Sequence, residues 1–503
     1  MTFSTLSLKL TLIGPLLVVL GGCGLPQQEI TTDEIRAQIN EDVESVKKNG
    51  ILKNNQVDLS SAIARSLKFN YEGYSQSLQK EISKLKSESA VLDILPPVVG
   101  SSTATIRNKP QATFSEPFVD GEIQNSESRN YSVSSNLNGR GANLSFEIES
   151  VQFGAARENA KQARLNFLVE REREKIVLKR LVKDTITKYW LALYHTELKG
   201  QISVLIFDVE KALKNSQTQL SEGLVDPLQA LNYQKELYQV QSTMLDLQRD
   251  LIGVRDEFSL LMGLRPSVHY SIKKEASENY NNKFISLNDL NTLALVNNGN
   301  YLIEMYNEKI NKSQKNQLLL NFFPSLSLGL SINYDDNPYL LEQTWSIAEF
   351  GLRWDIFNAF RYKPTKERLI LEEELIKNNR LKSKLKLLSL TRSSLEFVYQ
   401  DIERVRLGND EVNVAEKILE QLINYLESER GAELAVIKAK QSLILARHNR
   451  NMSHVDLQSS ISQLLNVSGL DVVPPNWREL STEELSKEVE QNLRNFLSFL
   501  VVR

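Results

Sequence analysis

The chain has 503 residues, with 60 Lys and Arg against 63 Asp and Glu, a net charge of −3 and 41% hydrophobic residues. That balance lacks the basic excess of a nucleic-acid binder, and a single cysteine excludes intramolecular disulfides. Past the N-terminus no run of about 18 apolar residues occurs, so a later membrane crossing has to be made by strands.

Lys9 is the only charge in the first 22 residues and precedes the apolar run Leu10 to Leu20, followed by Gly21-Gly22-Cys23. The run is too short to span a bilayer and is built like a secretory signal. Small residues before a cysteine suit a lipoprotein signal peptidase, so residues 1–22 are expected to be removed and Cys23 to carry lipid. Loss of Lys9 would move the net charge from −3 to −4. Gly24 follows, not the Asp that commonly retains lipoproteins in the inner membrane. That favours the outer membrane of a Gram-negative cell, with residues 23–57 as an N-terminal periplasmic segment.

The remainder reads as two copies of one unit, residues 58–265 and 286–470, joined by 266–285 and closed by 471–503. At an offset of 228, Leu59/Leu287, Leu67/Leu295, Asn70/Asn298, Ile82/Ile310, Lys84/Lys312, Leu92/Leu320 and Pro96/Pro324 coincide. Farther on, at an offset of 204, Phe146/Phe350, Phe153/Phe357, Ala155/Ala359, Arg157/Arg361, Arg164/Arg368 and Leu165/Leu369 coincide. The first copy therefore carries a connection 24 residues longer.

Copy one opens with a helical segment, Leu59–Leu92. A strand hairpin follows over about 97–150. Its first strand, near Val98–Ile106, is weakly patterned; in its second, Leu144, Phe146 and Ile148 alternate with Ser145, Glu147 and Glu149. A proline-free helical run from Phe153 to Ser221 turns at Gly223 and returns to Gly263. Copy two repeats the order: Leu287–Leu320, then a hairpin over about 324–357. Leu326, Leu328, Leu330, Ile332 and Tyr334 face one way, and Ser325, Ser327, Gly329, Ser331 and Asn333 the other. The partner strand is expected from Ala348 to Ile356. A long helix follows from Asn358, with Pro364 near its start and Leu381, Leu388, Leu395 and Ile402 at strict sevens. It turns near Gly431, and the return ends near Gly469.

About ten alternating residues suit a tilted transmembrane strand, although a soluble sheet alternates too. Four strands cannot close a barrel, since about eight is the smallest that closes. Membrane insertion then requires oligomerisation, and a trimer would supply twelve strands. The expected fold is an α+β membrane protein with long coiled-coil α-barrel helices and four strands per protomer. Glu147, Glu149, Arg353 and Asp355 are expected to face the lumen.

These landmarks together resemble the TolC family of outer-membrane efflux proteins, over nearly all of the chain after the signal. The matching elements are the stretch Asp58 to Leu67 with Asn70, then Leu95-Pro96 and Phe323-Pro324 before the strands. Trp354-Asp355-Ile356-Phe357 with Arg361, Gly223-Leu224-Val225, and Leu261-Met262-Gly263-Leu264 complete the set. The resemblance implies homotrimers, with a twelve-stranded barrel in outer-membrane lipid above a periplasmic α-barrel. An inner-membrane transporter and a periplasmic adaptor would dock at tips formed here by Gly223, Leu224, Val225, Gly431 and Ala432. Many members are lipoproteins, as expected from Cys23. Members often carry acidic residues just after the second tip. This chain has Lys438 and Lys440 there, which are expected to set the entrance charge and make an anionic or polymeric cargo more plausible.

No nucleophile, base or metal constellation is present, and no cofactor is implied. His195, His269, His448 and His454 lack ligand spacing and are expected on helix surfaces or loops. Asp335-Asp336-Asn337 is expected as a hairpin turn, Gly139-Arg140-Gly141 as a loop, and residues 170–175 as a solvated helix face. The expected function is non-enzymatic: a passive outer-membrane exit duct for a tripartite efflux or type I secretion system. The alternative is a lipid-anchored coiled-coil adaptor or structural lipoprotein without a pore.

Overall fold

The computed structural model describes residues 29–49, 55–124, 128, 130–265, 268–274, 285–426 and 433–500. Two compact units are distinguished, Met1–Lys53 and Asn54–Arg503. The first contributes helix α1 (Thr32–Asn49), an amphipathic helix whose Ile35, Ile39 and Val43 are exposed. Cys23 lies outside the described residues.

In the second unit, β1 (Gln56–Val57) leads into α2 (Leu59–Phe69), α3 (Tyr71–Leu92) and strand β2 (Val98–Ile106). The long connection after β2 carries β3 (Ala112–Thr113), β4 (Phe118–Val119), β5 (Glu122–Ile123) and β6 (Ser132–Val133), with β3 paired to β6 and β4 to β5. Strand β7 (Asn138–Glu149) runs into α4 (Ser150–Ser221), followed by α5 (Pro227–Asp250), α6 (Val254–Leu261) and β8 (Ser271–Ile272). Then come α7 (Leu287–Asn297), α8 (Gly299–Leu320), β9 (Ser325–Asp335), β10 (Thr344–Arg353), α9 (Asn358–Leu426), α10 (Glu433–Ser468) and α11 (Thr482–Leu500).

The helical segment before each hairpin is two helices, not one. Both pairs measure 11 and 22 residues. The break falls at Asn70 and at Asn298, whose extended backbone ends one helix while the side chain caps the next. Asn70 Oδ1 accepts from the amides of Glu72 and Gly73, and Asn298 Oδ1 from those of Asn300 and Tyr301.

Helix α4, 72 residues long, spans about 110 Å. It ends at Gly223, whose φ of +69° a residue with a Cβ adopts only under strain; the Leu224 amide closes the turn on the Gln219 carbonyl. Pro227 then starts α5, and the Asp226 carboxylate accepts from the Gln229 amide at 2.9 Å. The first return is not continuous to Gly263. It stops at Asp250, breaks over 251–253 and resumes as α6, whereas α10 runs unbroken for 36 residues.

Helix α4 packs on α3 and α8 along its first half, and on α5 and α10 along its second. Helix α9 packs on α8 and then on α10. The order across the unit is therefore α3–α4–α8–α9 on the sheet side and α5–α4–α10–α9 on the tip side. Leu198, Ile202, Leu205 and Val209 of α4, with Leu237 and Met244 of α5 and Ile437 and Ile444 of α10, form the tip-side core. Between these halves β1 pairs in parallel with β8, and α11 packs on α2.

Candidate membrane sheet and assembly edges

The four long strands form one sheet in the order β10-β9-β7-β2, all neighbours antiparallel. Its register keeps the alternation aligned across strands. Ile148, Leu328 and Phe350 share one row, as do Phe146, Leu330 and Ala348, and Leu144 stands beside Ile332. On the opposite face Glu149, Ser327 and Gly351 share a row, as do Glu147, Gly329 and Glu349. A polar ladder continues there, with Asn143 Nδ2 donating to Asn333 Oδ1 at 2.6 Å and Asn333 Nδ2 to Ser331 Oγ at 3.1 Å. Aligned alternation makes one face mainly apolar and the other mainly polar across β7, β9 and the end of β10, whereas Trp345, Ile347 and Val99 fall on the polar face and Ser346 on the apolar one.

Strand β10 occupies 344–353, earlier than the expected 348–356. Its end at Arg353 leaves Asp355 outside the sheet, where its carboxylate accepts from the Phe357 amide at 3.1 Å and shapes the turn into α9. Arg353 stays on the polar face, opposite Ser325. Asp335 ends β9, and Asp336 Oδ1 accepts from the Arg140 amide at 2.6 Å, so this acidic pair organises a turn.

Both sheet edges are open. Every residue of β2 and of β10 is exposed, whereas β7 alternates. The helices flanking those edges are also unfinished. On the β2 side, α3 exposes Tyr71, Tyr74, Leu78, Ile82 and Leu85, and α5 exposes Leu231, Tyr238 and Leu245 at strict sevens. On the β10 side, α9 exposes Leu371, Leu375 and Leu385, then Leu407, Val414, Ile418 and Tyr425. Spacings of three, four and seven are coiled-coil seams. The α9 heptad instead faces inward from Leu388 on, with Leu395 buried and Leu388 and Ile402 half-buried, while its first member, Leu381, is exposed.

At the tips, Leu224 is exposed beside Gly223, while Gly431 and Ala432 lie outside the described residues. Lys438 and Lys440 are not free charges. Lys438 Nζ sits 2.8 Å from Glu236 of α5 and Lys440 Nζ 2.7 Å from Asp208 of α4. Nearby, the Tyr233 hydroxyl donates to Glu433; burial, aided by that carboxylate, pushes the phenol up to about 12. These contacts tie the start of α10 to α4 and α5.

Two surface assignments are overturned. His454 is 6% exposed and stands edge-on to Trp190 and Tyr194; burial and then Arg450 lower it to about 4. Glu172 and Glu174, within the expected solvated run 170–175, are buried between helices. Lys80 of α3 meets Glu174 at 2.8 Å, and Arg171 reaches Glu172 at 3.2 Å. Two residues apart, these carboxylates lie on different sides of α4, and of the two it is Glu174 that joins α4 to α3, which a run of alternating charges conceals. Among the described residues no group of side chains could hold a metal ion, and no helix is long and apolar enough to cross a membrane.

No family model and no curated protein matches the sequence. Solved structures do. The chain is similar to the CmeC outer membrane channel of Campylobacter jejuni at 12% identity and a TM-score of 0.66, over 86% of this chain and 89% of that one. It is similar to the outer membrane protein VceC of Vibrio cholerae at 12% identity and a TM-score of 0.61, over 82% and 96%. It is also similar to the open state of the MtrE outer membrane channel of Neisseria gonorrhoeae, at 12% identity and a TM-score of 0.57, over 82% and 91%. At such identities the likeness establishes the fold alone, which this chain shares with these outer-membrane proteins.

Proposed function

We propose that three copies of this chain close head to tail into a passive outer-membrane exit duct, which conducts cargo delivered by an inner-membrane pump. The observation that carries this is the paired incompleteness of the two edges. One side offers open strand β2 with apolar seams on α3 and α5; the other offers open strand β10 with matching seams on α9. An edge strand left unpaired cannot stand in hydrocarbon, so closure is required for insertion. Different surfaces on the two sides make a heterologous contact, which generates a ring when its rotation closes. About eight strands enclose only side chains, so two copies would leave no passage; three give twelve strands and a wider lumen. The aligned apolar face would meet lipid, and Glu147, Glu149, Glu349 and Arg353 would meet water.

The likeness to outer-membrane channels supports this function. Energy and cargo choice belong to the pump, in an efflux or type I secretion system. Exposed Leu224, with Gly223 and Val225, gives the adaptor a contact at the tip, and Gly431 and Ala432 would supply the second. Cys23 would add a lipid anchor. The repeated element lengths and the matched caps at Asn70 and Asn298 favour an internal duplication.

Planar-bilayer recording of the purified full chain tests the duct. Discrete, long-lived conductance steps are expected from trimers. Trimers that add no conductance would refute a duct and restore the pore-less lipoprotein alternative.

A further inference from the structure

Where β10 passes into α9, a groove of about 620 Å³ lies between the end of the sheet and the helices beneath it. Three arginines line it. Arg353 ends β10 on the polar face, and Arg361 and Arg368 follow seven residues apart on one side of α9. Arg368 has a partly exposed pairing with Glu372 at 3.1 Å. The side chains of Arg353 and Arg361 have neither an ion pair nor a hydrogen bond among the described residues. Ser325, on the same lining, is 7% exposed, and its Oγ is buried without a partner. A buried hydroxyl without a partner is destabilising, so a ligand oxygen is the natural occupant.

The one carboxylate in the lining, Asp355, is already turned to the Phe357 amide. The amides of Asn358 and Ala359 are used in turns, bonding the carbonyls of Asp355 and Ile356. Recognition therefore falls to guanidinium groups, which bind planar or tetrahedral oxyanions in pairs. Trp354 lines the groove, and Phe323, Phe357 and Phe360 are exposed beside it. Such an aromatic band marks headgroup level in a membrane protein.

We propose that this groove binds a phosphate-type anion, either the phosphate of a membrane-lipid headgroup or a free phosphate ester. The lipid source rests on the sheet being membrane-inserted; anion binding itself does not require a conducting duct. The first copy keeps Arg157 and Arg164 at the equivalent positions but has Glu149 in place of Arg353, and the groove at its junction is lined by Asp93, Glu147 and Glu149.

The test uses the full chain in a phosphate-free neutral detergent. One arm titrates phosphatidylglycerol, with diacylglycerol as the phosphate-free control, and counts bound lipid by native mass spectrometry. The other titrates inorganic pyrophosphate by calorimetry. Binding in either arm is expected, and the responsive arm identifies the source. Affinity should fall at least tenfold in Arg353→Gln/Arg361→Gln and be kept in Arg249→Gln, an exposed arginine on α5. Ser325→Ala should weaken binding while leaving every charge in place, and circular dichroism checks that each variant folds. Two results would overturn the proposal: neither probe binds the native chain, or the folded double variant binds as the native chain does. Normal conductance without anion binding would sink this site and leave the duct standing.

Discussion

Gly263 and Gly469 each end a return helix with positive φ, +68° and +78°. Both also sit against the residue that precedes a capping asparagine. A Cβ at Gly263 would meet the Phe69 Cβ at 2.6 Å, and one at Gly469 would meet the Asn297 carbonyl carbon at 2.4 Å. Gly469→Ala combines a strained backbone with overpacking against main chain and should cost about 2–4 kcal/mol. Gly200→Ala, in open space on α4, should instead gain about 0.5–1 kcal/mol. Urea unfolding of both variants checks the contrast. The glycines were legible as helix stops, but the second constraint, close approach to a distant chain segment, has no local sequence signal. His454 is the converse case: nothing in its neighbourhood announces that Trp190 and Tyr194 will enclose it. Its folded pKa of about 4 lies below the ordinary 6.5. Between those values the unfolded chain binds the extra proton. Stability from this group is thus complete above about pH 6.5 and is lost as pH falls towards 4, by about 3–4 kcal/mol in all. His454→Phe should remove that part of the acid sensitivity. An unchanged difference in unfolding free energy between pH 7 and 4.5 would show that the imidazole does not supply it.

Among elements, the strands were read well where alternation is strict and poorly where it lapses. Strand β9 was found almost to the residue. The alternation of Phe350 and Leu352 continues through Trp354 and Ile356 past the point where Asp355 turns the chain, so periodicity alone predicts β10 too far along. Breaks inside helical stretches were missed for a similar reason. Asn70 and Asn298 do not interrupt the apolar pattern, yet their side chains replace backbone bonds. The lysines after the second tip were located, but their pairing with Asp208 and Glu236 depends on which helices adjoin α10. The aligned sheet faces yield a directional prediction. Leu328 stands in the apolar row with Ile148 and Phe350, and Ser327 in the polar row with Glu149 and Gly351. An arginine facing mid-bilayer lipid costs about 2–4 kcal/mol. Leu328→Arg should sharply reduce the outer-membrane trimer on gels, while Ser327→Arg leaves it near normal; equal loss from both would mean that the faces are wrongly assigned.

At the scale of the whole molecule, no element completes itself. The sheet stops at two bare edges, and the helices beside those edges carry apolar seams that one chain cannot bury. The need for partners was legible from the count of strands, since four cannot close. Which surfaces meet was not legible, because it depends on the order β10-β9-β7-β2 and on which face of α3, α5 and α9 the other helices leave uncovered. Electron cryo-microscopy of the full chain extracted in mild detergent tests the head-to-tail ring directly. Three copies are predicted around one axis, with Thr344–Arg353 of each copy paired to Val98–Ile106 of the next, and twelve strands enclosing a lumen. A monomer would contradict the account, as would an oligomer in which those two strands remain unpaired.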